Sequence, residues 1–324
     1  MSTRFRSPLS SEFEAFLKFK RSLGFRYNRA EFTLREFDCF IQAYAAGRKA
    51  WQLDQAMLAW LASKPERKAT SVSMDAAVLR QFCRFLCRLP GRSGTAEPLW
   101  PGLPTESSFV PYVLSEADVR ALLDLTAGLG RPPFRARVYR ALILLMYCTG
   151  LRFGEALRLR LRDVDTRAGI LWVDMFKGRS RWVPFHRSLA RELDTYLAAR
   201  REFAPAKSDD RFFVGVNRRT LPVKTAWHTL RGLFVKAGLK PSQGRVGPRP
   251  YDIRHTFAVH RLSRWYRRGV DLHSRLPWLS AYMGHTDMLG TETYLTSTPE
   301  LLGLAGSRFR HRYLRSDGSK GSAR

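Results

Sequence analysis

Cysteine is scarce in this chain, which has 324 residues and only 4 cysteines. Cys83 and Cys87 lie four residues apart in a helical pattern, whereas Cys39 and Cys148 stand alone in apolar runs. No pair has the C-x-x-C spacing that is typical of zinc and redox sites. The sequence therefore supports neither a disulfide framework nor a zinc site, and it favours a reducing, cytoplasmic location.

Long apolar runs are also lacking. The longest such stretch, 141–148, is much shorter than the roughly 18 residues that cross a bilayer. The N-terminal residues are basic but no apolar segment follows them, so they do not match a secretory signal peptide. We therefore expect no membrane-spanning helix and no membrane partner.

Acidic residues are few relative to basic ones, 28 against 56, which gives a net charge of +28. Such an excess repels itself and attracts polyanions over long distances. Nucleic acid is the first candidate partner and an anionic membrane surface the second. The chain is nevertheless 44% hydrophobic with 21 Phe, 11 Tyr and 8 Trp, enough apolar material for a large core, which excludes wholesale disorder.

The first 89 residues predict a helical domain. Apolar residues recur at helical spacing in four segments, of which the last three span about 30–44, 53–61 and 71–89. The first segment opens with the capping-box pattern Ser11-x-x-Glu14 and is expected to stop at Gly24.

A row of arginines, Arg80, Arg84 and Arg88, recurs every four residues on the fourth predicted helix. Two interpretations are open for this row. It is either an ordinary solvated face or a set of DNA phosphate contacts, and the net charge of the chain favours the second.

Residues 90–113 contain five prolines and three glycines, which predict an extended linker. We predict a helical DNA-binding domain at 1–95, a linker at 96–113, a second domain at 114–306 and a basic tail at 307–324.

The second domain is predicted to be mainly helical with a small β-sheet. A helix start at 114–118 opens a helical stretch to about 163, and helices return from 188 to about 298. Between them, 169–185 predicts two strands joined by a turn at Lys177-Gly178. The predicted fold class is thus α+β, mainly α.

Four short motifs in this domain carry the candidate chemistry. They are Thr149-Gly150-Leu151-Arg152 with Glu155, the hairpin Lys177, Tyr251-Asp252-Ile253-Arg254-His255, and Gly284-His285 with Tyr294 nine residues later. Each residue alone is ordinary, because arginines are common on basic surfaces and a tyrosine is usually core. Their joint order and spacing, however, resemble the tyrosine recombinase (phage integrase) family over residues 112–300.

The resemblance implies an architecture and an activity. A helical core-binding domain and a catalytic domain would close on double-stranded DNA as a C-shaped clamp. The enzyme would be a site-specific recombinase that cuts and rejoins strands through a covalent 3′-phosphotyrosine intermediate, without a metal or other cofactor. Its partners would be DNA, three further copies in a homotetramer on two DNA sites, and accessory or sister recombinases, in the cytoplasm at the nucleoid.

The resemblance also implies a role for each residue. Tyr294 would be the nucleophile, Arg152 and Arg254 would clamp the phosphate oxygens with His285 as a third donor, and Lys177 would protonate the leaving 5′ oxygen. The supporting residues are Glu155, which would hold Arg152 or His285, and the hairpin arginines Arg179 and Arg181, which would contact DNA.

One position departs from the family pattern, because Tyr251 stands where histidine is usual. Its hydroxyl either donates to the phosphate or merely packs, and tyrosine is a poor general base near neutrality. We interpret His255 as structural. Trp278 is interpreted as core, in a helix that starts at 276–279 and ends at 282–284.

Three biological roles are compatible with these motifs. We favour the integration, excision or transposition of a mobile element, because Tyr251 and the long linker differ from the compact chromosome-dimer resolvases. The alternatives are such a resolvase and a non-catalytic DNA-binding protein derived from a recombinase.

Overall fold

The structure is a computed structural model that describes residues 5–63, 65–89, 112–130, 132–174, 180–205, 210–244 and 246–285, together with Thr291 and Gly303. The chain divides into two compact units, residues 1–108 and 109–324. The proposed boundary at 95/96, most of the linker and the basic tail at 307–324 lie outside the described residues.

The N-terminal unit is helical, as predicted. Its helices are α1 (Ser10–Ser22), α2 (Asn28–Ala45), α3 (Leu53–Ala62) and α4 (Ala69–Leu86). They surround an aromatic core in which Phe13 and Phe82 have ring centroids 4.6 Å apart and Phe16 lies 5.5 Å from Phe82. Tilted and edge-on aromatic pairs of this kind add to the stabilisation that comes from burial alone.

The capping box predicted at Ser11-x-x-Glu14 is wrong. Helix α1 begins earlier, after Leu9, and the Ser11 hydroxyl donates to the adjoining Glu12 carboxylate. The chain entering α1 is held instead by buried Asp38 of α2, which accepts a hydrogen bond from the backbone N–H of Ser7 at 2.9 Å. A long-range contact therefore replaces the expected local cap.

The second unit is also mainly helical. Its helices are α5 (Glu116–Leu125), α6 (Phe134–Thr149), α7 (Phe153–Arg158), α8 (Arg187–Phe203), α9 (Val223–Lys236), α10 (Asp252–Arg267) and α11 (Leu272–Met283). The capping box of Ser115 and Asp118 confirms the predicted helix start. Among the described helices, none has both the length and the apolar character that a membrane crossing requires.

A three-stranded antiparallel sheet lies between α7 and α8. Its strands are β1 (Val164–Asp165), β2 (Ile170–Val173) and β3 (Arg181–Pro184), in the order β1-β2-β3. The predicted strand pair is thus confirmed and β1 is additional. Leu171 faces Val183 across the ladder and both are buried, whereas Trp172 pairs with Trp182 on the outer face. The turn at Lys177 lies outside the described residues.

Helix α6 forms the centre of this unit. Its second half, from Ala141, is almost entirely apolar, and the helix packs against α8 and α10, which is why most of that half is buried. The helical stretch predicted to about 163 is present as several helices, and Gly150 ends α6 within it in a left-handed conformation with φ +64°. This end and the start of α10 lie side by side, so α6 brings two of the predicted motifs together.

The interpretation of Trp278 as core is wrong. Helix α11 begins at Leu272, where the Asp271 carboxylate accepts from the backbone N–H of His273 at 3.0 Å, and not near Leu276. Leu276 then faces the core and Trp278, two residues on, is 70% exposed. The predicted end of this helix at Gly284 is confirmed.

Candidate active site

Arg152 is placed by the glycine that ends α6. A Cβ at Gly150 would overlap the Phe257 ring, and the φ of this glycine is one that L side chains rarely adopt. The turn at this glycine lets Arg152 follow as the N-cap residue of α7, with its side chain 31% exposed. The motif glycine is therefore required by packing as well as by backbone geometry.

Glu155 holds Arg152 from the first turn of α7. The backbone N–H of Arg152 donates to Glu155 Oε2 and its guanidinium NH1 donates to Oε1, each at 2.9 Å. The Glu155 carboxylate is 1% exposed. A buried carboxylate with these two bonds fixes both the main chain and the side chain of Arg152.

Arg254 comes from α10, and its side chain is completely buried. Its NH1 donates to the carbonyl of Gly150 at 2.7 Å and its NH2 to that of Met283 at 2.8 Å. Arg152 NH2 donates to the next carbonyl, that of Gly284, at 2.9 Å. Two arginines from distant parts of the sequence therefore converge on the end of α11.

His285 directly follows this meeting point. Its Nδ1 lies 2.6 Å from the hydroxyl of Thr291, which is fully buried. A hydrogen bond at one ring nitrogen sets the orientation and tautomer of the imidazole. Sequence analysis missed Thr291, although its position three residues before Tyr294 places it in the same motif.

Arg181 does not fit the prediction that it contacts DNA. Its side chain is 9% exposed, its guanidinium pairs with Glu155 at 3.0 Å, and Nε donates to the carbonyl of Tyr282 at 2.8 Å. The alternation of β3 explains this, because Arg181 shares the inward face with buried Val183. That alternation is the sequence signal that could have placed Arg181 inside.

The charge state of Glu155 follows from these contacts. Burial by itself raises the pKa of Glu155, but the hydrogen bonds and charges of Arg181 and Arg152 outweigh it and hold this pKa below its ordinary value. The carboxylate is therefore ionised at neutral pH, and one negative charge faces several arginines.

Tyr251 and His255 lie next to Arg254 at the start of α10. Tyr251 is 40% exposed and its ring lies 4.9 Å from the imidazole of His255. Burial, with smaller effects of Arg249 and Arg254 and against that of Asp252, lowers the pKa of His255 to about 4. His255 is thus neutral and packed at neutral pH. Tyr251 packs on it and still reaches solvent, so both interpretations of Tyr251 stay open.

His255 predicts a pH dependence of stability. Its pKa is about 4 in the folded chain against an ordinary 6.5, so between these values the unfolded chain binds a proton that the folded chain does not. The contribution of neutral His255 to the free energy of unfolding is complete above pH 6.5. It is lost as the pH falls to 4, and the loss is about 3 kcal/mol. We expect the free energy of unfolding, measured with urea, to fall less between pH 6.5 and 4 in His255→Gln than in the parent. Equal falls would contradict the prediction.

The remaining candidates are distributed as follows. Arg80 is half-buried on α4, and Arg84 and Arg88 are exposed at and beyond its end. Lys177, Arg179 and Tyr294 lie outside the described residues.

Comparison with known proteins identifies this constellation. The model of the phage integrase family matches residues 113–300, a range that includes all four motifs. The chain belongs to this family, the tyrosine recombinases. It is accordingly an enzyme of the class that cleaves and rejoins DNA, as the resemblance implied.

Full-length relatives support the same assignment. The chain is 32% identical to the integrase/recombinase y4rB of Sinorhizobium fredii over 93% of its own length and 96% of that protein. It is 28% identical to the tyrosine recombinase XerA of Thermococcus kodakarensis, covering 90% of this chain and 91% of that one. This family therefore includes both integrases and Xer recombinases.

Solved structures share the fold. The XerH recombinase bound to difH DNA in a post-cleavage complex has a TM-score of 0.68 and 18% identity, with 93% of this chain and 84% of that chain covered. The integrase of the transposon Tn1549 in complex with transposon right end DNA has a TM-score of 0.65 and 15% identity, over 94% and 99%. The predicted fold class is confirmed.

Proposed function

We propose that this recombinase cuts and rejoins DNA through a covalent 3′-phosphotyrosine linkage to Tyr294. The observation that supports it is the convergence of Arg152 and Arg254 on adjacent carbonyls of Met283 and Gly284, directly before His285. Guanidinium groups at one point form the kind of site that stabilises charge on a phosphoryl group.

The arginines stabilise the transition state. Charge builds on the two non-bridging oxygens during attack, and donors that are already in place stabilise it without reorganisation. Arg152 offers its exposed edge to one oxygen, and His285 donates from the ring nitrogen that does not face Thr291. Because Arg254 is buried, DNA binding must uncover an edge of its guanidinium before it can donate to a phosphate.

Proton transfer is assigned to two residues of the motifs. Tyr294 must lose its proton to attack, since a free phenol has a pKa near about 10, and the surrounding positive charge favours the phenolate. Lys177 protonates the leaving 5′ oxygen, because an ammonium releases a proton far more readily than a guanidinium. Tyr251 donates to the phosphate from the start of α10.

The biological role proposed is integration, excision or transposition of a mobile element. The similarity to y4rB over nearly the whole chain supports it, as does Tyr251, which departs from the resolvase pattern. Chromosome-dimer resolution is the second candidate, which the similarity to XerA favours. In either role the domains at 1–95 and 114–306 bind opposite faces of one duplex, and four copies assemble on two sites at the nucleoid.

The covalent step is tested with DNA from the flanks of the encoding locus. One strand is labelled at its 5′ end in one sample and at its 3′ end in another, and products are separated under denaturing conditions with and without protease. A 3′-phosphotyrosine retains the 5′ label on the protein and releases the 3′ label. Scrambled flanks are the control. Specific binding without any adduct would support the non-catalytic alternative.

The arginine row on α4 is tested by salt dependence. We expect the double variant Arg84→Gln and Arg88→Gln to reduce the slope of log affinity against log salt by about 0.9 for each phosphate that the variant no longer neutralises. Fluorescence anisotropy over a series of salt concentrations measures it. An unchanged slope would leave these arginines as a solvated face.

A further inference from the structure

Arg181 occupies an unusual position for an arginine beside a DNA-binding hairpin. It is the first residue of β3, four residues after Lys177, yet its guanidinium faces inward. Its NH2 and NH1 lie 3.0 and 3.4 Å from the two oxygens of Glu155, and Nε donates to the carbonyl of Tyr282. These bonds hold the Arg181 side chain against the groups that surround Arg152, which sets it apart from an exposed phosphate contact.

Glu155 is shared between two arginines and lies near a third. Oε1 accepts from Arg152, Oε2 accepts from Arg181, and NH1 of Arg254 lies 4.0 Å from Oε2. Removal of Arg181 would take a guanidinium donor from each oxygen of this buried carboxylate and leave Oε2 with the backbone N–H of Arg152. That oxygen would then draw on Arg152 or Arg254, the two groups proposed to bind phosphate.

Arg181 also contacts the second support of Arg152. A Cβ placed on Gly284 would lie 2.5 Å from Arg181 NH1, so the guanidinium packs directly against this glycine. The carbonyl of the same glycine accepts from Arg152. Two groups that hold the Arg152 guanidinium, Glu155 and Gly284, are therefore in contact with Arg181.

We propose that Arg181 is a positioning residue that holds the Glu155 carboxylate and the Gly284 backbone so that Arg152 points at the scissile phosphate. The inference rests on the phosphate-binding role proposed above for Arg152. It differs from a role for Arg181 in DNA affinity and from a role in placing the Lys177 hairpin.

Two variants and a matched control test this role. Arg181→Met removes the positive charge and the hydrogen-bond donors, whereas Arg181→Lys keeps the charge but has fewer donors. Arg140→Met removes a more exposed Arg–Glu pair, in which Arg140 donates to Glu192 at 3.0 and 2.8 Å and joins α6 to α8. We expect adduct formation to slow by about 10- to 100-fold in Arg181→Met, the range seen when outer-shell partners of metal ligands are lost.

The pH profile separates positioning from general destabilisation. Arg152 and Arg254 are the other charged groups facing Glu155, so without Arg181 the effect of burial is less opposed and the pKa of Glu155 rises. The acidic limb of the plot of adduct-formation rate against pH should therefore move to higher pH in Arg181→Met. The move should be smaller in Arg181→Lys and absent in Arg140→Met. If Arg181→Met and the parent form the adduct at equal rates and have the same acidic limb in their pH–rate profiles, the proposal is overturned.

A substrate with sulfur at the bridging 5′ position separates Arg152 from Lys177. A thiolate leaves without protonation, so a defect in placing the lysine disappears on this substrate, whereas a defect in the phosphate clamp remains. We expect Arg181→Met to stay slow. A rate equal to that of the parent would overturn the proposal in favour of the hairpin.

A readout without DNA keeps the inference separate from the proposed function. The pKa of Glu155 is measured by carboxyl ¹³C NMR, with the signal assigned through Glu155→Gln. We expect a higher pKa in Arg181→Met than in the parent, and an unchanged pKa would overturn the inference. Absence of any adduct with the parent protein would count against the proposed function alone.

Discussion

Replacing Tyr294 with phenylalanine is expected to abolish the covalent protein–DNA adduct and leave specific DNA binding intact. The substitution removes only the phenolic oxygen, which is the proposed nucleophile, and keeps the aromatic ring. Tyr251, the other tyrosine singled out in these motifs, is proposed to donate to the phosphate and not to attack it. The loss should therefore be complete, unlike the partial losses expected elsewhere.

The measurement is the strand-labelling assay, run beside a gel-shift titration of the same DNA. Tyr44→Phe is a matched control, since it removes a hydroxyl from α2 of the other unit. Persistence of the adduct in Tyr294→Phe would assign the nucleophile to another residue. Loss of binding together with the adduct would show that Tyr294 acts in recognition.

Replacing Arg254 with lysine is expected to slow adduct formation by about 10²–10³-fold, the effect of removing one donor to a developing oxyanion. Lysine keeps the charge but loses the planar fork that lets one side chain donate to both Gly150 and Met283. The two buried carbonyls then lack their donor, so the variant should also unfold at a lower denaturant concentration.

The chain offers a control for this loss of stability. Arg200 of α8 is also buried and donates to the carbonyls of Phe212, Ala204 and Arg211 at 3.0–3.1 Å. Arg200→Lys should destabilise in the same way and retain its rate of adduct formation where it is folded. Similar rates for Arg254→Lys and Arg200→Lys would contradict the catalytic role of Arg254.

The helices of the N-terminal unit were predicted to within three residues at each end. Their apolar spacing is a local property, and burial of one face per helix is enough to define them. Ser11 failed as a cap because Asp38, distant in sequence, offers its buried carboxylate to the incoming backbone. No local pattern contains that competitor.

The sequence by itself determined the family and the order of its motifs, since residue types and spacings alone carry them. The structure shows why Gly150 and Gly284 stand where they do, since each follows the end of a helix with a positive φ. Only the tertiary structure decided that Arg181 lies inside, that Trp278 lies outside, and that Thr291 meets His285. The physical reason is that the partners of these side chains, such as Glu155 for Arg181, belong to other parts of the fold and become neighbours only when the chain has folded.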